Sequence, residues 1–420
     1  MAEDCTIEVQ NSTVRIRGSF RPQHVRHLCT AFAQCVYRGF PTIVLDFSDC
    51  SNAFPNSMLP TIVTASRLRQ DGVAIYAALP KLPILRTRFL VTNWAHYLSP
   101  RQYAHHQNPQ DQALSVWHYS EDGDHYAILR LLIDSIIKTV VVPRSALTAL
   151  EWIFSEIMDN VLNHSESSCG GYVQLAYFDI QHNLDFCVAD AGRGILKSLS
   201  ESYYFATDAE AIQKSVQAGV TRNKVAGQGN GLSGSLHLAT GAGGWFRILS
   251  GRGEVAWAPE RAIVTNLEYD ELFTGTVVDL QFPYSKDVDI IRILNEHTFT
   301  PAGVSTRYSP TDFIETNHLS DDFSSLLLVV RTEGVGHASR QGGKELRIKA
   351  QNLLRAEPGM SLVIDWGEVT VIASSFADEF IGKLAALLGE AEFRHRIRFR
   401  NLSDVVKQLI DRAIVQRGMA

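Results

Sequence analysis

Short β-rich runs alternate with helical patterns over the first hundred residues. The runs TVRIRG (13–18), TIVLDF (42–47) and VAIYAAL (73–79) contain the β-branched and aromatic side chains that favour strands. Between them, RPQHVRHLCTAFAQCVYRG (21–39) carries apolar residues at helical spacing. Strands that alternate with helices predict an α/β domain, which we place at residues 1–110.

The C-terminal part of the chain returns to the same pattern. Aligned without gaps, TIVLDFSDCSNAFPNSMLPTI (42–62) and SLVIDWGEVTVIASSFADEFI (361–381) each predict a buried strand, a polar turn and an amphipathic helix. The two strands end at Asp46 and Asp365. This agreement indicates an internal repeat and a second α/β domain at residues 315–420. The alternative, that any strand–turn–helix unit would look similar, remains open.

Two polar stretches are typical of linkers, SPRQYAHHQNPQDQ (99–112) and FTPAGVSTRYSPTD (299–312). They enclose a central domain at residues 111–290. In this domain a helical pattern runs from Asp124 to Thr139, and a second helix follows it. The sequence therefore predicts three domains.

Charge and composition exclude several classes of protein. The chain has 39 Lys and Arg against 45 Asp and Glu, a formal net charge of −6, which disfavours nucleic acid or an anionic membrane as partner. Hydrophobic residues make up 45%, enough for buried cores. No apolar stretch reaches the roughly 20 residues of a membrane span, and MAEDC (1–5) lacks the features of a signal peptide. We expect a cytoplasmic protein.

The cysteines are scattered without a CxxC pair or a His-paired spacing. We therefore expect reduced, mostly buried thiols and no metal site of zinc type. The six are Cys5, Cys29, Cys35, Cys50, Cys169 and Cys187.

The central domain contains a polar stripe in an apolar helix, FSEIMDNVLNHSES (154–167). As a helix, it places Glu156, Asn160 and His164 on one face, with Asn163 beside them. A solvated face is the ordinary explanation of such a stripe. Solvated faces, however, usually carry Lys, Arg and Glu, so two amides and an imidazole favour a ligand site.

Two glycine motifs follow this helix. FCVADAGRGI (186–195) predicts a strand that runs into an aspartate, which can accept a hydrogen bond from an exocyclic amine. GQGNGLSG (227–234) opens a helical pattern, where free backbone N–H groups and the helix dipole favour phosphate. The second motif is neither a Walker A sequence nor a dinucleotide fingerprint. The strand GTVVDLQFP (275–283) completes the set.

The order of these four motifs resembles the GHKL superfamily, the ATP-binding domains of gyrase, heat-shock chaperone, histidine-kinase and MutL type. The resemblance spans roughly residues 120–285, and SEIMDNVLNH is most similar to the helix of anti-sigma-factor serine kinases. It implies a two-layer α/β-sandwich (Bergerat) fold with ATP and Mg²⁺ as cofactors. Glu156 would orient or deprotonate the attacking nucleophile and could reach the metal through water. Asn160 would ligate Mg²⁺.

The resemblance also implies an ATP-binding set. Asp190 would recognise adenine, Gly192 and Gly194 would admit the base, and Thr276 would lie near it. Residues 196–226 would form the ATP lid. The other members would contact phosphate or support the helix: Asn163, His164, Arg222, Lys224, Gly227, Gly229, Asn230, Gly231 and Leu232. Arg222 and Lys224 could alternatively be exposed side chains of a solvated loop. For Asn163 and His164 the alternative is a packing role.

The chain departs from two branches of this superfamily. No histidine has the acid and the later proline that follow the phospho-acceptor of histidine kinases. After residue 290 the chain enters a short α/β domain and not a transducer domain with a catalytic lysine. Histidine autophosphorylation, DNA gating and mismatch repair are therefore disfavoured.

The flanking domains resemble STAS modules, the fold of anti-sigma-factor antagonists. In that family a strand ending in Asp leads to a helix whose first residues present a serine that the partner kinase phosphorylates. The matching position is Ser375. The alternative is that Ser374 and Ser375 are an ordinary N-cap pair. In the N-terminal copy the position is Asn56, which predicts a structural or partner-binding module.

Two functional hypotheses follow. The first is a GHKL serine/threonine protein kinase of partner-switching type that acts on or through a STAS-like domain. The second is a conformational switch that hydrolyses ATP slowly and gates the binding of a partner without phosphorylating protein. A STAS-like or sigma-factor-like regulator is the expected partner, and a homodimer is a further expectation.

Overall fold

The fold is that of a computed structural model. It describes residues 5–104, 114–178, 181–217, 220, 231–259, 261–267, 272–297, 325–333, 336–356 and 359–417. Helices and strands both contribute throughout, and the predicted mixed α/β class is confirmed. The chain forms two compact units. The first comprises Met1–Pro143, Asn160–Lys214 and Ala242–Lys286, and the second comprises Arg144–Asp159, Ser215–Gly241 and Asp287–Ala420.

The strands, in chain order, are β1 (Thr6–Gln10), β2 (Thr13–Phe20), β3 (Thr42–Asp46), β4 (Cys50–Ala53), β5 (Ala74–Ala78), β6 (Trp117–Tyr119), β7 (Gly171–Phe178), β8 (Asn183–Asp190), β9 (Trp245–Gly251), β10 (Gly253–Ala258), β11 (Arg261–Asn266), β12 (Phe273–Pro283), β13 (Ser325–Val329), β14 (Ser361–Asp365) and β15 (Ile397–Arg400).

The α-helices are α1 (Val25–Tyr37), α2 (Pro55–Gln70), α3 (Pro83–Val91), α4 (Trp94–Leu98), α5 (Asp122–Thr139), α6 (Arg144–Asn160), α7 (Gly194–Leu199), α8 (Asp208–Ser215), α9 (Gly231–Gly241), α10 (Ile290–His297), α11 (Val330–Glu333), α12 (Arg340–Ala356), α13 (Ser374–Ala377), α14 (Lys383–Leu388), α15 (Glu390–Arg396) and α16 (Asp404–Gln416). A 3₁₀ turn covers Pro22–His24, and π-helical turns cover Val161–Ser165 and Asp378–Gly382.

Two sheets build the first unit. Strands β1, β2, β3 and β5 pair in that order, and β4 also pairs with β2; only the β1–β2 pair is antiparallel. The second sheet has seven strands in the order β11-β10-β9-β12-β8-β7-β6, and all its pairs are antiparallel. Strand β8 lies inside this sheet, and its residues Phe186–Asp190 are all buried.

Helix α2 is shared by the two sheets of the first unit. Its residues 57–63 are buried, as are Ala65 and Ser66, so it is covered on nearly its whole circumference. One apolar core joins residues of the N-terminal sheet with Tyr172 and Ala189 of the seven-stranded sheet. At its C-terminal end, Ser66 Oγ lies 2.9 Å from Tyr172 Oη. The amphipathic helix predicted here is wrong, because a helix packed between two layers needs no polar side.

The second unit contains a parallel sheet in the order β13-β14-β15. We call the described residues between Ser325 and Arg417 the C-terminal segment. The predicted repeat has the same bounds in both copies: β3 and β14 end at Asp46 and Asp365, and α2 and α13 begin at Pro55 and Ser374. In each copy the aspartate Oδ1 accepts from the backbone N–H two residues later.

The helix of the second copy is also covered on all sides. Helix α13, the π turn and α14 form one helical run over residues 374–388, and every residue from 371 to 382 is buried. A polar helix face is therefore absent from this stretch as well. Full burial requires that neighbouring elements pack around this helical run. Within the C-terminal segment, these elements are α12 and α16.

The first predicted linker begins inside the N-terminal part of the fold. Tyr103 Oη donates to the carbonyl oxygen of Ala77 at 2.8 Å, and Gln102 Oε1 accepts from the N–H of the same residue. The remainder of that stretch, and all of the second predicted linker, lie outside the described residues. Within the described ranges, no helix combines the length and the apolar character needed to cross a membrane.

Candidate functional site

A row of polar side chains crosses the seven-stranded sheet of the first unit. Thr276 on β12 pairs with Asp190 on β8 and with Ser250 on β9. Directly paired residues of neighbouring strands point to the same face of a sheet. Ser250 Oγ donates to the carbonyl oxygen of Gly275 at 2.9 Å and lies 3.3 Å from Thr276 Oγ1. Two predicted residues, Asp190 and Thr276, are thus neighbours in a polar row.

Asp190 is the buried acid of this row, with 4% of its surface exposed. Its Oδ1 accepts from the backbone N–H of Gly192 at 2.8 Å, and the N–H of Thr276 also donates to the carboxyl. Burial raises the pKa of Asp190 to about 7, and these two N–H groups oppose that shift. A carboxyl held by backbone donors in a buried place keeps acceptor capacity for one further donor.

The two glycines after Asp190 are close to other backbone atoms. A Cβ on Gly192 would lie 2.1 Å from the carbonyl oxygen of Ser165, and the next N–H, of Arg193, donates to that oxygen at 2.7 Å. Gly194 has φ +75° and begins α7. The need for glycine at position 192 therefore has a packing reason in addition to the predicted contact with a base.

The predicted polar helix changes its geometry after Asn160. The α-helix ends there and Val161–Ser165 form a π turn, closed by the hydroxyl of Ser165, which donates to the carbonyl oxygen of Val161 at 2.6 Å. A π turn is wider than an α turn, so the spacing between Asn160 and His164 is no longer that of an α-helix. Their shared face stays a prediction. Asn163 and His164 are half-buried in this turn.

Asn160 itself has an unusual environment. Its Nδ2 atom is buried and has no hydrogen-bond partner among the described residues. A buried amide donor without a partner destabilises a folded protein, and such groups are often found where a ligand or water completes the bonding.

Glu156 lies on α6 in the second unit and is 6% exposed. Its Oε1 accepts from the backbone N–H of Ser374 at 2.8 Å. A Cβ on Gly231, the first residue of α9, would lie 2.3 Å from Oε2, so any larger residue there would have to displace this carboxyl. Burial, and then the negative charge of Asp159, raise the pKa of Glu156 to about 7; the Ser374 N–H and Arg340 oppose that shift.

Ser374 and Ser375 do not cap their helix. The N-cap residue is Ala373, with an extended backbone and no side-chain hydrogen bond, and the two serines are the first helical residues. The first free N–H of the helix, that of Ser374, is instead satisfied by Glu156. The N-cap interpretation is therefore wrong. Both serine hydroxyls are buried and have no hydrogen-bond partner among the described residues.

Helix α6 makes further polar contacts to the C-terminal segment within the second unit. Together with the Glu156–Ser374 bond we call them the α6 contacts. They are the bond from Trp152 Nε1 to the carbonyl oxygen of Ile372 (3.0 Å), the bond from Ser155 Oγ to the carbonyl oxygen of Ala338, and the ion pair of Arg340 Nε with Asp159 Oδ1 (3.5 Å).

Several predicted site residues fall elsewhere. Leu232 is half-buried in α9, beside Gly231. The following lie outside the described residues: Arg222, Lys224, Gly227, Gly229 and Asn230. The described members thus divide between the two units: Asn160, Asn163, His164, Asp190, Gly192, Gly194 and Thr276 in the first, and Glu156, Gly231, Leu232 and Ser375 in the second.

Two side chains near these groups, Ser250 and Arg340, and the bond from the backbone of Ser374 to Glu156 were not predicted from the sequence. Ser250 could have been found as a polar residue near the end of β9, opposite Thr276 of the GTVVDLQFP strand. Arg340 and the backbone of Ser374 contact α6 from 181 and 218 positions away, and neither pairing leaves a local pattern in the sequence.

Comparison with known families assigns a class to the C-terminal segment. Residues 342–407 match the family described as STAS-like domain of unknown function (DUF4325). This stretch runs from α12 into α16 and includes β14, the serine pair and β15. The predicted STAS-like domain at this end is confirmed, and a STAS-like domain is broadly consistent with partner-switching regulation. No curated protein matches the chain.

The environment of Glu156 predicts a pH-dependent effect on stability. Its folded pKa of about 7 lies above the ordinary value of 4.5. The stability that the protonated group contributes is therefore full below about pH 4.5 and is lost as the pH rises through about 7. We expect Glu156→Gln, which keeps an oxygen for the Ser374 N–H, to gain on the order of 2–3 kcal/mol over wild type between pH 5 and pH 8.

Urea unfolding of both proteins at the two pH values measures this difference. Glu121→Gln, at an exposed position before α5, is the matched control and should show no such gain. An equal free energy of unfolding for Glu156→Gln and wild type at both pH values would contradict the buried, destabilised carboxylate.

Proposed function

We propose that this protein is an ATP-binding signalling regulator of GHKL type, and that it is a serine/threonine protein kinase acting on or through its own STAS-like domain. The observation that carries this proposal is the hydrogen bond between Glu156 and Ser374. It joins the carboxyl that the GHKL resemblance assigns as base to the backbone N–H of the residue before Ser375, the acceptor that the STAS resemblance assigns.

The chemistry of Glu156 supports the role of general base. A base works best when its pKa is close to the working pH, and that of Glu156 is raised to about 7 by burial. The carboxyl would accept the proton of a serine hydroxyl or of a water as that oxygen attacks the γ-phosphorus of ATP. The bond between the γ-phosphorus and the β,γ-bridging oxygen would break, and ADP would leave.

The first unit supports the nucleotide part of the proposal. A buried carboxyl at the end of a central strand, fixed by two backbone N–H groups, suits an exocyclic amine such as that of adenine. The buried, unpartnered amide of Asn160 suits a polar ligand. Mg²⁺ usually takes one or two protein oxygens in addition to phosphate and water, so Asn160 Oδ1 would be sufficient as a first ligand. When bound, the cation would neutralise charge on the phosphates.

An ATP-driven conformational switch is the second candidate, and the burial of the serines favours it. Ser374 and Ser375 are 5% and 7% exposed, so transfer to either hydroxyl requires that the C-terminal segment first moves away from α6. A switch needs only water as acceptor, and nucleotide hydrolysis would then change how the STAS-like domain meets a partner.

Incubation with γ-labelled ATP and Mg²⁺ separates the two candidates. The kinase predicts label on the protein at Ser374 or Ser375, located by peptide mass spectrometry and lost in the Ser374→Ala/Ser375→Ala double variant. Release of free phosphate with no label on the protein or on an added STAS-like partner supports the switch. If calorimetry detects no nucleotide binding by the folded chain, both candidates are wrong.

A further inference from the structure

Both oxygens of the Glu156 carboxyl contact other residues of the second unit. Oε1 accepts the N–H of Ser374 at 2.8 Å, and Oε2 lies so close to Gly231 that a Cβ there would be 2.3 Å from it. A general base has to offer a lone pair to the proton that it removes, within about 2.6–3.2 Å of the nucleophile. With Ser374 in place, one of the two oxygens is already engaged.

The bond from Ser374 also changes the base itself. A backbone N–H donor stabilises the ionised form and so lowers the proton affinity of the carboxyl. At the same time the carboxyl satisfies the first free N–H of the helical run 374–388, an arrangement that favours negative charge at that position. Glu156 and the C-terminal segment thus stabilise each other in a geometry that is unfavourable for proton abstraction.

We propose that the C-terminal STAS-like segment inhibits the protein in cis, by holding Glu156 through the α6 contacts, and that release of the segment activates it. This inference rests on the proposed function, because it concerns the regulation of the same carboxyl. The inhibited state is the one described here, and activation requires the Ser374 N–H to leave Glu156. A partner that binds the STAS-like segment where α6 now lies would be the activating signal.

Arg340 is the position where this docking is most open to test. Its guanidinium lies between two buried carboxylates, Asp159 on α6 at 3.5 Å and Glu379 on the C-terminal segment at 3.7 Å. Reversal of its charge would place a third acid between them and repel the segment from α6. Lys344, one turn further along α12, is exposed and forms no ion pair with these acids in the described part of the chain, so the same charge reversal there serves as control.

The experiment compares full-length wild type, Arg340→Glu and Lys344→Glu. Hydrogen exchange of the peptide covering 372–377 reports on docking, and ATP turnover at a pH above the pKa of Glu156 reports on the base. We expect Arg340→Glu to exchange at least about tenfold faster in this peptide and to hydrolyse ATP roughly five- to a hundredfold faster. Lys344→Glu should match wild type in both measurements.

The outcomes separate this inference from the proposed function. Faster exchange in Arg340→Glu with turnover equal to a measurable wild-type rate overturns the inhibition and leaves the proposed function intact. Unchanged exchange in a folded Arg340→Glu variant overturns the docking. Absence of ATP turnover in every protein overturns both the proposed function and the inference.

A second variant covers the case in which Arg340→Glu does not fold. Trp152→Phe keeps an aromatic side chain on α6 but removes the N–H that donates to the carbonyl oxygen of Ile372. It should raise exchange and turnover in the same direction by a smaller factor. If both rates equal those of wild type, the α6 contacts do not restrain the base.

Discussion

Replacement of Glu156 by alanine is expected to slow the loss of the γ-phosphate of ATP by roughly 10²- to 10⁴-fold, while nucleotide binding persists. The reason is that the carboxyl is the only group assigned to receive the proton of the nucleophile. Glu156→Gln should be equally slow, because an amide keeps the acceptor for Ser374 but cannot take a proton. Glu151→Ala, on the same helix, is the control for helix damage and should keep wild-type turnover.

Asn160→Ala should give a different phenotype from Glu156→Ala. It removes the assigned Mg²⁺ ligand, so we expect weaker binding of Mg-ATP, partly restored by additional Mg²⁺. Single-turnover hydrolysis and calorimetry together distinguish a slow base variant from a weak binding variant. Wild-type hydrolysis rates in both variants would show that neither side chain takes part in the reaction.

Replacement of Asp190 by asparagine is expected to weaken ATP binding by about 10²-fold, the effect of a few kcal/mol. The N–H of Gly192 already donates to Oδ1, and it would select the oxygen of the new amide. The NH₂ group would then face the exocyclic amine of adenine, and two donors would oppose each other. The affinity is measured by calorimetry with ATP and Mg²⁺.

Asp185→Asn is the matched control for this prediction. Asp185 lies on the same strand, and burial raises its pKa to about 7 as well. It accepts from Gln281 Nε2 at 2.9 Å and, five positions before Asp190, points to the opposite face of the sheet. The Asp185→Asn variant should therefore bind ATP with wild-type affinity. If the affinity of a folded Asp190→Asn variant is also unchanged, Asp190 does not recognise the base.

Local patterns were sufficient to predict the strands that lead into the candidate site and the internal repeat. The strand that ends at Asp190, the strand that contains the GT pair, and the equal bounds of β3 and β14 all follow from runs of β-formers with glycine or aspartate at their ends. The mixed α/β class follows from the same alternation. These features depend on neighbours in the sequence, which the sequence shows directly.

The sequence could not predict features that depend on packing between distant residues. Helical spacing cannot show that the helix widens into a π turn at Val161, since the turn depends on what surrounds it. The serine pair looked like an N-cap because the acceptor for its helix, Glu156, lies 218 positions earlier in the chain. Helices α2 and α13 looked amphipathic because small and polar side chains such as Ser57 and Thr61 are also tolerated inside a core when hydrogen-bonded.

The packing of α2 between two sheets has a consequence for how the protein folds during synthesis in the cell. Helix α2 ends at Gln70, but β12, which completes the centre of the sheet packed against it, begins only at Phe273. At about 5–20 residues per second, a ribosome needs on the order of 10–40 s to synthesise the intervening chain. During that time α2 faces a sheet that still lacks its central strand. We therefore expect the packing of α2 against this sheet to be completed late in the folding of a newly made chain.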